Sequence, residues 1–256
     1  MGKRRTTILF GVKDIMIYVY DGSFEGLLTV IFDSYKVLES VEKITVKNMQ
    51  IDFISEKINT RTDLEKANRV KKSIIKNFSY SFYNNICMVF SSSSDKKEMA
   101  IAKTLKKLYT KGFYYIESAD TNVVDFRNIL KRVSGEIHSY KGLIRFSECD
   151  NILFARFSPE NDILFYLYLH FKNRLGNCKF IIADTNRKKA VLYDGNKGEF
   201  FDFIDDKNLK IEDKYVDLWL RFYDSIAIDE RKNEKLRIQN MPKKYWKNLP
   251  EMNRLK

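Results

Sequence analysis

Glu136, His138 and His170 are the residues whose types suit general acid–base work, and they are few. Glu136 and His138 sit two positions apart near the end of a helical stretch, so they occupy neighbouring rather than coincident faces. His170 falls in an apolar helical run four residues before Arg174, with which it shares a face. A His in such a run is more often a hydrogen-bonded core residue than a catalyst, and the catalytic assignment stays open. Two His, with Cys87, Cys149 and Cys178 scattered and no CxxC spacing, make neither a metal site nor a disulfide framework. No cofactor is implied. Scattered thiols suit a reducing cytoplasm.

Cations offer a second chemistry. The chain carries 46 Lys/Arg against 34 Asp/Glu in 256 residues, a formal net charge of +12. A field of that sign favours anionic partners such as nucleic acid, although a lysine-rich solvated surface gives the same balance. The surplus is densest at the end. Residues 230–256 hold nine Lys/Arg, among them Arg231, Arg237, Lys243 and Lys244, against three Glu. Within them Met241-Pro242-Lys243-Lys244-Tyr245-Trp246 sets cations beside two aromatics, a mixture that suits phosphate contact with base stacking. The competing reading pins Tyr245 and Trp246 into the core and leaves the cations in solvent. Arg187, in the polar turn Asp184–Lys189, and Arg145 and Arg174 are further phosphate-binding candidates. Asp21-Gly22-Ser23-Phe24-Glu25-Gly26, between a strand and a helix, offers free amides to a phosphate but lacks the Gly-Lys-Ser/Thr ending of a P-loop, and reads more readily as a tight turn with close helix packing.

The elements that must position these residues follow from periodicity. Ile15–Tyr20 is β-branched and aromatic, a buried strand. An apolar stripe from Phe24 through Leu27, Leu28, Ile31, Phe32 and Tyr35 to Leu38 predicts one helix. One or two short strands fall in 41–60. Thr62 with Glu65 forms a capping box for a basic helix reaching Phe78, whose outer face carries Lys66, Arg69, Lys71, Lys72 and Lys76. A helix ending at Gly112 and another over 121–140 ending at Gly142 come next. Asp150-Asn151 signals a hairpin between two strands. Ser158-Pro159 reads as the cap of a well-buried helix over 162–174. Three strands at 178–183, 188–193 and 199–204, a helix over 211–223 and an irregular basic tail complete the chain. The expectation is an α+β fold: a mostly helical N-terminal part, then a largely antiparallel sheet with packed helices and a basic C-terminal tail. Residues 1–15 form an extension and 16–256 one domain, with a subdivision near Gly142. No stretch approaches the length of a membrane helix, so no membrane is expected as partner.

Tyr18–Thr29, Glu136–Phe146, His170-Phe171 to Arg174, Asp184–Arg187 and the segment from Glu230 through Met241-Pro242 to Tyr245-Trp246 together resemble the signatures of a family of DNA metabolism proteins sharing the DUF4130 domain. That resemblance implies a cytoplasmic DNA metabolism or repair protein, encoded beside a radical SAM protein of DNA modification or repair. Ser139 departs from the Arg that usually follows His138 in the central signature. The family start makes Met16 an alternative initiator to Met1. No CxxxCxxC motif occurs, so radical chemistry would belong to the partner. Three functions are consistent with this: an accessory protein that binds DNA, single-stranded or damaged; a protein–protein adaptor for the radical SAM partner; and a DNA-processing enzyme in its own right.

Overall fold

The computed structural model describes residues 16–46, 56–203, 220–222, 225 and 233–253. The helix expected at 211–223 and Arg231 lie largely or wholly outside them, as does the N-terminal extension. The chain divides into two compact units, Met1–Phe90 with Ser94–Leu130, and Ser91–Ser93 with Lys131–Lys256. It is an α+β fold with a separate sheet in each unit.

In the first unit, β1 (Met16–Tyr20) is the centre of a three-stranded sheet, flanked by β2 (Val41–Val46) and β3 (Glu56–Asn59), both parallel to it. Ile17 to Tyr20 are all buried, which is why this strand reads as continuously apolar instead of alternating. A parallel neighbour needs a crossover. Helix α1 (Phe24–Ser34) supplies it, capped by Ser23, whose hydroxyl accepts from the Gly26 amide at 2.9 Å. The helix is shorter than its apolar stripe predicts: after Ser34 the chain tightens into turns, and Leu38 is buried from a 3-10 turn instead.

Helix α2 (Leu64–Asn77) is capped by Asp63 and not by Thr62: the Asp63 carboxylate accepts from the amides of Glu65 and Lys66, while the Thr62 hydroxyl donates to Asp21 at 2.7 Å. Helix α3 (Tyr80–Phe90), absent from the periodicity reading, buries Phe82, Ile86 and Val89, and the Ser79 hydroxyl accepts from the Phe82 amide at its start. Helix α4 (Lys97–Lys111) stops at Gly112, whose φ of +91° favours a residue without a β-carbon. Helix α5 (Thr121–Leu143) continues through Gly142, past its predicted end.

In the second unit a five-stranded sheet runs β4 (Ser147–Cys149), β5 (Ile152–Phe157), β6 (Phe180–Asp184), β7 (Lys189–Tyr193), β8 (Gly198–Asp202). The β4–β5 hairpin turns on Asp150 and Asn151 at φ +50° and +62°, the conformation a two-residue turn demands. The sheet is mixed, not largely antiparallel, because β5 and β6 pair in parallel. Helix α6 (Leu164–Leu175) lies between them in sequence, and such a crossover returns the chain to the same end of the sheet. Ser158-Pro159 does not cap α6; its N-cap is Ile163, with no side-chain bond. The helix is buried on one face only, through Leu164, Leu167, Tyr168 and Phe171, while Phe165 and Leu169 are exposed. The described part of the tail comprises α7 (Glu234–Asn240), a 3-10 turn over Lys243–Asn248, and α8 (Pro250–Asn253). No described helix is long and apolar enough to cross a membrane.

Candidate nucleic-acid interface

The C-terminal ends of parallel β5 and β6 carry two loops that bring together Glu136, Arg187 and Lys244 of the predicted residues. Such ends are the usual place for ligand sites in crossover sheets. After β5, the loop 158–162 is held by Glu136 of α5. Its buried carboxylate accepts from the Glu160 amide at 2.7 Å, the Asn161 amide at 3.0 Å and Asn161 Nδ2 at 2.6 Å. Asn161 Oδ1 in turn accepts from the Ser92 hydroxyl and the Ser93 amide. Glu136 is therefore a fully engaged structural acceptor. His138 is exposed on another side of α5, so the two do not form an acid–base pair.

After β6, Asp184 is wholly buried. Its Oδ1 accepts from the amides of Asn186 and Arg187, and its Oδ2 from Arg187 Nη1 at 3.1 Å. Burial pushes the Asp184 carboxyl up, while the Arg187 amide and guanidinium pull the other way. The same guanidinium donates to the carbonyls of Pro159 and Glu160, tying the two strand-end loops together. Arg187 thus spends its donors inside the protein.

The tail docks beside these loops. Tyr245 is buried, its ring edge-on to Tyr140 at 4.9 Å, and Tyr140 meets Phe157 at 5.0 Å. Asn248 Nδ2 donates to the Ser158 hydroxyl at 3.2 Å. The core reading of Tyr245 is the one realised. Trp246 is half-buried; its Nε1 donates to the Met241 carbonyl, and Arg237 and Lys243 lie 5.3 and 5.8 Å from its ring centroid. Among the predicted cations several meet carboxylates: Arg145 with Glu251 at 2.9 Å, Lys244 with Glu160 at 3.1 Å, and Arg237 with Glu234 at 3.7 Å. Arg174 is exposed at the end of α6. His170, on the same helix, is half-buried with its Nε2 unpartnered among the described residues, and burial together with Lys141 and Arg174 holds its pKa down.

In the first unit, the Asp21–Gly26 turn is closed to an added anion. Asp21 already occupies it, accepting from the Ser23 amide and hydroxyl, and a β-carbon on Gly26 would lie 2.4 Å from its Oδ1. The Ser23 and Thr62 hydroxyls hold its carboxyl below the ordinary range. The cations of this unit are concentrated on α2 and α4, each with five Lys/Arg against one Glu. On α4, Lys103, Lys106, Lys107 and Lys111 recur at the three- and four-residue spacing of one helix face. The sequence alone did not single out α4, because its apolar residues define a core face and its lysines an ordinary solvated one.

Among the described residues no cluster of three or more His, Cys, Asp or Glu could hold a metal ion. Two units, each with a parallel strand pair, a basic helical face in one and an aromatic-anchored tail in the other, define an α+β protein with a cationic surface. The chain belongs to the family of the domain of unknown function DUF4130, whose model matches residues 95–251. The matched segment contains the Glu136–Phe146, His170–Arg174 and Asp184–Arg187 signatures and the tail through Glu251; Tyr18–Thr29 lies outside it. No curated protein matches the chain.

Proposed function

We propose that the chain is an accessory protein of DNA metabolism that binds nucleic acid and works with a radical SAM protein. The observation that carries the binding half is the surplus of cations, +12 overall, with two helices of the first unit each holding five against one. Phosphates neutralised by such side chains release counterions, which is the main source of affinity in sequence-independent binding. Trp246, half-buried beneath Arg237 and Lys243, adds an aromatic face next to charge in the tail. The partner half rests on the family resemblance.

The test is a salt titration with a fluorescent single-stranded oligonucleotide. The affinity should fall by about 0.7 log units per phosphate contacted for each tenfold rise in salt. Absence of binding at low salt removes the reading.

A second reading is favoured by the ion pairs of Arg145, Arg237 and Lys244. Cations already satisfied by carboxylates suit a tail whose task is to shape a docking surface for a protein. Loss of partner co-purification with DNA binding retained, on replacing Lys243 and Trp246, would select the adaptor.

A further inference from the structure

Helices α1, α2 and α4 of the first unit enclose a cleft of about 700 Å³, within the size range of small-ligand sites. Three aromatic rings line it: Phe32, Tyr35 and Tyr109. The Tyr35 and Tyr109 rings stand nearly perpendicular at 6.4 Å. Tyr109 is fixed by donating to the Ser73 hydroxyl at 2.8 Å.

The rim is cationic. The Arg69 guanidinium lies 4.9 Å from the Phe32 centroid, and the Lys106 ammonium 6.0 Å from that of Tyr35. Lys36 completes it. Asp33, the one carboxylate in the lining among the described residues, is taken up by Lys66 at 2.7 Å. Glu39 approaches Lys106 at 3.8 Å. Arg69 and Lys36 have no carboxylate partner among the described residues.

A simple apolar ligand would leave these cations unanswered, and a bare phosphate would leave three rings wet. A flat π-system bearing an anion answers both, because base–aromatic stacking and guanidinium contact are each favourable and tolerant of base identity. We propose that this cleft binds a nucleobase with its phosphate: the base against Tyr35 and Tyr109, the phosphate on Arg69, Lys36 and Lys106. The proposal deepens the nucleic-acid reading and rests on it, while adding a site in a unit that the tail does not reach in sequence.

The experiment measures anisotropy of labelled dA12 and calorimetry of deoxyadenosine monophosphate. It uses the full chain and the variants Tyr35→Ala, Arg69→Gln and Arg69→Lys, with Lys72→Gln as a same-helix control outside the lining. Thermal melts verify folding. Tyr35 and Arg69 are at the surface end of the cleft, and Arg69→Lys preserves charge while losing the planar group.

Tyr35→Ala and Arg69→Gln should each weaken dA12 by about fivefold or more, because each removes a stacking or charged contact with the strand. Arg69→Lys should weaken it by less; Lys72→Gln, outside the cleft, should leave monophosphate binding at the parent value and cost dA12 at most one phosphate contact. Monophosphate binding with the same residue dependence assigns a free nucleotide as an additional source; dA12 dependence without it assigns the strand alone. If dA12 binds and the cleft variants match the parent, the site is overturned and the nucleic-acid reading survives on other residues. If neither probe binds, both fall. Binding of poly-glutamate with that residue dependence, in place of dA12, overturns the site in favour of an acidic protein.

Discussion

The Arg145 guanidinium donates to the Glu251 carboxylate at 2.9 Å across 106 positions of sequence, and the Glu251 side chain is 1% exposed. This pair joins the end of α5 to the last described helix of the tail. Removing one member of a buried pair costs far more than the pair contributes, because the other charge is left desolvated. Arg145→Ala should therefore lower stability by about 3 kcal/mol in urea unfolding. Glu251→Gln, which keeps an acceptor near Arg145, should cost less. The same Arg145→Ala change should raise protease cleavage in 241–253, which a residue serving only as a phosphate contact would not do.

Glu136 answers three donors of the loop after β5. Truncation to Ala orphans the backbone and side-chain amides of Asn161 in a buried place and the Glu160 amide in a part-buried one, at roughly 1–3 kcal/mol for each buried donor left unpaired. Glu136→Ala should thus lower stability by about 3 kcal/mol in denaturant unfolding. A variant with native stability and lost DNA processing would instead make Glu136 a catalytic residue.

Arg187 separates a structural from a phosphate-binding cation. Its guanidinium balances buried Asp184 and holds the Pro159 and Glu160 carbonyls. Arg187→Ala should cost about 3 kcal/mol or more, as for any broken buried pair. Its oligonucleotide affinity, measured where the variant is folded, should stay within about twofold of the parent, a loss smaller than one phosphate contact in the salt-linkage sense.

Local chemistry was legible where a residue must satisfy a backbone constraint by itself. Asp150-Asn151 declared its hairpin because both positions take positive φ, and Gly112 declared a helix end for the same reason. Choices among neighbours were less legible. Thr62 and Asp63 are both good caps, and Asp63 wins because the Thr62 hydroxyl is claimed by Asp21, 41 positions away. The mixed sheet follows from α6 as a crossover, so its parallel pair was implicit in a helix already read between β5 and β6. Helix α3 was hidden because its closing run Ile86-Cys87-Met88-Val89-Phe90 is apolar on every side, which blurs the helical spacing of Phe82, Ile86 and Val89. At the candidate site, the types of Arg145, Arg187 and Lys244 were legible, but whether each is spent on a carboxylate depends on partners 106, 3 and 84 positions distant. Of these only Asp184 lies within local view.

Glu98 is buried at the start of α4, accepts the Tyr20 hydroxyl at 3.2 Å, and has no ion-pair partner among the described residues. Burial pushes its carboxyl up, and the Tyr20 bond offsets this only in part; burial and then the charge of Glu98 also raise Tyr20. A raised carboxyl binds its proton more readily folded than unfolded. Its contribution is therefore present at low pH and is lost as pH rises through the folded value. Glu98→Gln keeps an acceptor for Tyr20 and removes the charge, so its melting temperature at pH 7 should rise by roughly 2–5 °C, the scale of about 1 kcal/mol for a domain of this size. The gap between variant and parent should narrow at pH 4.

His170 has the opposite linkage. Burial, then the charges of Lys141 and Arg174, hold its pKa below the usual value, and its Nε2 is buried without a partner among the described residues. Other groups facing it include the Phe171 ring at 5.0 Å. The unfolded chain therefore binds the proton more readily, so stability is complete above about pH 6.5 and declines as pH falls below it. Melting temperatures of the parent and His170→Gln, compared at pH 7.5 and 5.5, isolate the contribution of this ring, since every other titration is common to both. The parent should lose more than the variant on acidification. Equal losses would mean that His170 protonates as easily in the fold as outside it, and that Lys141 and Arg174 exert no field on its ring.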